Sequence, residues 1–143
     1  MGKMLAGWSG EEFLKHVAKE LWPARLERAG GAVRRRAQEL IDAPKHGRRR
    51  YSKGARKVYI SSAAGEATAS PTGKVRNDIQ VEVGEGEGGF PAVRIGAGPA
   101  TKGIAKQLFL GTSRAAPRPT LEPALEGNAE VERALREGWG GAE

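Results

Sequence analysis

Cysteine is absent from this 143-residue sequence. That excludes a disulfide framework and any thiolate metal site, so stability has to come from packing. Aromatic residues are scarce too, at 6% within a hydrophobic share of 38%, which predicts a thin, aliphatic core. No apolar run reaches the ~18 residues that would read as a membrane helix. The opening "MGKMLAGW" is too short for a signal peptide. The expectation is a chain made in the cytoplasm without a membrane partner. The two histidines, His16 and His46, have no His or Cys at metal-ligand spacing, so neither metal nor cofactor is expected.

What the chain has in quantity is glycine (21 residues), proline (8) and positive charge (net +7). The first two make much of it loop. The charge is uneven: residues 1–57 hold 15 Lys and Arg against 6 Asp and Glu, and residues 58–143 hold 9 against 11. A basic half calls for something acidic nearby, with nucleic acid the usual candidate. Two triplets, Arg34, Arg35, Arg36 and Arg48, Arg49, Arg50, are the residues expected to face DNA or an acidic partner. Scattered cations are otherwise a solvated surface.

Local patterns predict an α+β fold in one domain, residues 1–143. "SGEEFLKHVAKELW" opens a helix with a capping box from Ser9 to Glu12. Phe13, Leu14, Val17, Ala18, Leu21 and Trp22 give it an apolar face, and Pro23 predicts a kink. "PARLERAGGAVRRRAQELIDAP" resumes the helix with Leu26, Val33, Ala37, Leu40 and Ile41 buried, and Pro44 ends it. Gly30 and Gly31 either admit a close neighbour or let the helix bend, at ~1 kcal/mol each relative to alanine. Residues 45–75 read as a long extended arm: basic first, a short strand at "KVYISS", then a small polar tract. "NDIQVEVGE" and "FPAVRIGAG" form a β-hairpin around "EGEGG". "TKGIAKQLFLGT" is compatible with a short helix or a strand. "TLEPALEGNAEVERALREGW" is a final helix, restarted at Asn128, with Leu121, Ala124, Leu125, Val131 and Leu135 as its buried positions and Leu121 and Leu125 docking it on the small antiparallel sheet.

Catalytic chemistry finds no foothold. "GAGPATKG" lacks the Gly-Lys-Ser/Thr that a phosphate loop needs. Asp78 with Glu82, and Glu85 with Glu87, sit on an exposed hairpin face where nothing raises a carboxylate pKa. No serine has a base placed by the sequence. The chain is therefore expected not to be an enzyme.

Two stretches carry a resemblance. In "SAAGEATASPTGKVRNDI" a small-residue tract with Gly65 and Glu66 leads to Thr72, Gly73, Val75, Arg76 and Ile79; in "LGTSRAAPRPTLEPAL" Gly111 and Thr112 precede Pro119, Leu121, Pro123, Ala124 and Leu125. In this order, after a long helix ending at a proline and around a hairpin, they resemble the head–tail joining and tail-completion proteins of long-tailed bacteriophages. The likeness spans about residues 29–125. Phe109 stands where family members often have Glu.

The resemblance implies a structural virion protein forming a ring in the neck around the DNA channel, six-fold as first choice and twelve-fold as second. Portal, adaptor or stopper proteins would lie on one side and tail-tube or tail-terminator proteins on the other, with double-stranded DNA passing through without sequence recognition. In such a ring the arm, with Val58, Tyr59, Ile60, Gly65, Glu66, Thr72 and Gly73, is expected to lie on the next subunit. The rival expectation, from charge alone, is a small basic nucleic-acid-binding protein.

Overall fold

A 21-residue helix, α1 (Trp22–Asp42), is the axis of the fold. The structure is a computed structural model and describes residues 22–136. The capping box at Ser9, the apolar face preceding Trp22 and the chain entering the expected kink at Pro23 lie outside those residues. Pro23 itself sits in the first turn of α1, where its missing N–H leaves no helical bond unmade. Ala29, Val33, Ala37 and Ile41, four residues apart, make one buried row, joined by Gly30 and Ala32. Past Asp42, Lys45 Nζ donates to the Leu40 carbonyl at 2.5 Å, placing a cation on the negative end of the helix.

The chain then forms a hairpin of β1 (Arg49–Ser52) and β2 (Lys57–Ile60), runs through a loop, and makes a single helical turn, α2 (Lys74–Asn77). A second hairpin follows, β3 (Ile79–Glu85) with β4 (Pro91–Ala97), in register from Ile79 opposite Ala97 to Glu85 opposite Pro91. After it come α3 (Lys102–Leu110), α4 (Leu121–Leu125) and α5 (Ala129–Arg136). The fold is α+β, with two separate two-stranded antiparallel sheets.

The β3–β4 hairpin lies along α1. Its alternation is the expected one, with Ile79, Val81 and Val83 less exposed than Gln80, Glu82 and Gly84. Gly30 explains the close approach. A Cβ there would stand 2.5 Å from Val81 Cγ1 and 2.9 Å from Val93 Cγ2, while one at Gly31 would meet only Arg35 Nη1, at 3.9 Å. Of the two expected reasons for the glycine pair, close approach applies, and to Gly30 alone.

The terminal helices make their main contacts with α1. Ala124, Val131 and Ala134 join the core formed by α1 and Ile79, with Leu121 packed against it. Leu125 is 54% exposed. Its turn of α4 brings Ala124 onto α1 and rotates Leu125 away, because adjacent helical residues point ~100° apart. The restart at Asn128 is present. Its Oδ1 accepts the Glu130 N–H at 3.1 Å, and its Nδ2 donates to the Ala32 carbonyl at 3.3 Å, capping α5 and fastening it to α1.

Candidate assembly surface

Within residues 45–75 the chain forms a hairpin. Residues 49–60 pair from Arg49 opposite Ile60 to Ser52 opposite Lys57. "RRYS", expected as basic loop, is therefore a strand. Ser52 Oγ accepts the Ala55 N–H at 3.1 Å within the connecting turn, and Arg56 takes a left-handed φ of 54° to complete it. The available signal was Gly54 in a short polar linker between Tyr51 and Val58, a pattern that reads as a hairpin with a longer loop.

Directly opposed residues share a face. Arg49, Tyr51, Val58 and Ile60 thus occupy one side of this hairpin. Arg50, Ser52, Lys57 and Tyr59 occupy the other, where Arg50 and Tyr59 face a cleft floored by Thr68, Leu108 and Ala116. Tyr59 is half-buried there, whereas Tyr51 is 62%, Val58 49% and Ile60 44% exposed. Val58 and Ile60 lie on the outer face, and Tyr59 lies on the inner one.

A clasp closes the base of the hairpin. The Gly47 N–H bonds to the Ser61 carbonyl at 2.8 Å, and the Ser61 N–H to the Arg48 carbonyl at 2.8 Å. The Glu66 carboxylate accepts the Ala63 N–H at 2.6 Å and the His46 N–H at 2.9 Å, and its Oε2 lies 2.8 Å from His46 Nδ1. These bonds, the one from Ala63 foremost, hold its pKa down to about 2 from an ordinary 4.5. The sequence singled out Glu66 only through resemblance and gave no partner for His46, which lies twenty residues away.

The two signature stretches meet behind this clasp. The Gly65 N–H bonds to the Pro117 carbonyl at 3.3 Å, and the Thr68 N–H to Thr120 Oγ1 at 3.3 Å, with both threonines buried. Arg118 Nε donates to Ser62 Oγ at 3.0 Å. Several signature residues have a local reason. Gly73 has a φ of 78° at the turn before α2, where the chain enters one helical turn. Val75 is buried, and Arg76 Nε lies 2.8 Å from both carboxylate oxygens of Asp42 at the end of α1. Thr72 is exposed, its Oγ1 accepting the Lys74 N–H at 3.3 Å.

At Gly111 the left-handed φ of 78° ends α3, and a Cβ would stand 2.8 Å from Pro117 N. Only glycine fits both the angle and the space. Thr112 Oγ1 accepts the Arg114 and Ala115 N–H groups at 3.2 and 3.1 Å, folding the chain back so that the Arg118 N–H reaches the Leu108 carbonyl at 2.7 Å. Beside this turn a groove of about 620 Å³ is lined by Phe109, Leu110, Pro117, Pro119, Leu121 and Glu122, among others. Pro123 is exposed in the first turn of α4.

The arginine triplets part company. In α1, Arg35 pairs with Glu130 and Arg36 with Glu39, leaving Arg34 exposed. On the hairpin, Arg48, Arg49 and Arg50 are exposed and have no carboxylate partner among the described residues. Asp78, read as solvated, has a structural role: its Oδ2 accepts the Thr101 N–H and hydroxyl at 2.9 and 2.8 Å. These bonds, the hydroxyl's first, lower its pKa and fix the loop before α3. Among the described residues no group of three or more metal-binding side chains occurs, and no helix is long and apolar enough to cross a membrane. Compared with protein-family models, curated proteins and solved structures, the chain has no match.

Proposed function

We propose that this chain is a structural virion protein, a ring-forming component of the neck of a long-tailed bacteriophage. In this reading it joins the capsid's portal complex to the tail and surrounds the path of the DNA. Its work is assembly, without catalysis. The observation that carries the reading is the junction of the two signature stretches, from Gly65–Pro117 to Thr68–Thr120. Here they build one platform at the root of a projecting hairpin, which is what an inter-subunit arm requires. Portal-side and tail-side proteins are the partners above and below, and duplex DNA is contacted through phosphates without base recognition.

The test is a phage in which the gene is inactivated. Filled heads and tails that fail to join are the expected products, restored when the chain is supplied in trans, with the labelled chain at the neck by electron microscopy. Normal infectious particles that lack the chain would overturn the reading.

One observation favours the nucleic-acid-binding alternative. The hairpin carries Arg48, Arg49, Arg50, Lys53, Arg56 and Lys57 with no acidic residue in residues 48–57, and Tyr51 stands exposed among them. Such a ribbon meets phosphates while its aromatic ring can stack on a base. Under the neck reading, DNA binding by the free protein is non-specific and falls steeply with salt. Tight, sequence-dependent binding in high salt would favour the alternative.

A further inference from the structure

The outer face of the β1–β2 hairpin carries three exposed apolar side chains, Tyr51, Val58 and Ile60. Its inner face is turned toward its own domain through Arg50 and Tyr59. The outer face therefore points away from the body, and the root of the hairpin is fixed by the Glu66 clasp. The apolar groove has walls of Phe109, Leu110, Pro117, Pro119 and Leu121, with Leu110 69% exposed.

Charge separates the same two surfaces. The hairpin has six cations and no anion between residues 48 and 57. Glu122 lines the groove and Glu126 ends the same helix; both are exposed, and neither has an ion-pair partner among the described residues. Of the cations near the groove, Arg118 is engaged by Ser62 and by the Ala116 carbonyl, and Arg114 is exposed on the turn. We infer that the outer face of the hairpin docks into the Phe109–Leu121 groove of a second copy of this chain, with Arg49 on that face and Lys53 and Arg56 of the connecting turn against that copy's Glu122 and Glu126. This inference builds on the ring reading by naming the contact that joins one subunit to the next.

The two surfaces are different, so the contact is head-to-tail. Such contacts propagate around a ring when the rotation closes and into a filament when it does not. Apolar anchors in a desolvated centre with charges at the rim are the arrangement that sets affinity and orientation respectively.

The chain has no native cysteine, which makes the contact directly testable. Val58→Cys and Leu110→Cys are both at exposed positions and are checked by thermal unfolding to leave the fold intact. Under mild oxidation, an equal mixture of the two single variants should give a cross-linked dimer that neither gives alone. The double variant should give a ladder of oligomers. Ile60→Asp should weaken self-association by ~10-fold or more, and Glu122→Lys should weaken it less.

Cross-linking of Val58→Cys with itself would overturn the inference in favour of a symmetric hairpin contact. A chain that remains monomeric at the highest soluble concentration, or oligomers that form without the mixed cross-link, would overturn it as well. Rings in particles without the cross-link would remove this contact and keep the neck reading. A cross-link in solution with the chain absent from particles would keep the contact and remove the neck.

Discussion

The molecule contains two hairpins built by the same backbone rules, and they have opposite fates. Strands β3 and β4 lay Val81 and Val93 against Gly30 of α1, and Ile79 is fully buried. Strands β1 and β2 pair just as regularly, yet Tyr51, Val58 and Ile60 remain in solvent. A lone two-stranded hairpin is marginal in water. The first is held by a helix packed along one face. The second is held at its root, by the Gly47–Ser61 and Arg48–Ser61 bonds and by Glu66. Pairing makes a hairpin, but only a covering surface makes it part of a core. A hairpin without one is available to another molecule.

Substitutions can press on that contrast from both sides. Removing the buried Ile79 side chain with Ile79→Ala should cost about 2–5 kcal/mol in denaturant unfolding. The matching Ile60→Ala on the exposed hairpin should stay within about 0.5 kcal/mol. Equal costs would mean that both hairpins belong to one core.

The glycine pair in α1 sharpens the same point over a smaller range. Gly31→Ala should stabilise by up to about 1 kcal/mol through helix propensity, since its Cβ meets nothing nearer than Arg35 Nη1, at 3.9 Å. At Gly30 a methyl runs into Val81 and Val93, and overpacking of about 1–3 kcal/mol should outweigh that gain. If both alanines stabilise equally, the sheet does not approach as closely as described.

Acid should open the clasp before it touches the core. The folded pKa of Glu66 is depressed, so its contribution is present above the ordinary value of 4.5 and is lost as pH falls toward about 2. Amide exchange at His46 and Ala63 should accelerate through that window while Ile79 stays protected. Glu66→Gln should show fast exchange at both sites already at neutral pH, with no further step in acid. Unchanged protection at Ala63 in that variant would separate the carboxylate from the clasp.

The smallest effect is expected at Leu125. Leu125→Ala should change stability by no more than about 0.5 kcal/mol, because the side chain is more than half exposed. A loss near that of Ile79→Ala would restore Leu125 to the core position that the sequence suggested.

The long helix, the β3–β4 hairpin and the restart at Asn128 were all legible along the chain. Each rests on local chemistry: a four-residue apolar row, two-residue alternation around glycine, a side chain that caps its own helix. The basic character of residues 48–57 was legible as well, because charge needs no fold to be counted. Three-dimensional packing decided the rest. It chose which face of α4 turns inward, Ala124 and not Leu125, since both lie on one short turn and only α1 selects between them. It settled α3 as helix where the residues allowed either reading. It joined His46 to Glu66 and Thr68 to Thr120 across 20 and 52 residues, distances over which periodicity carries no information. It also left the apolar face of the first hairpin uncovered, because whether a strand is buried depends on what lies beside it and not on the strand itself.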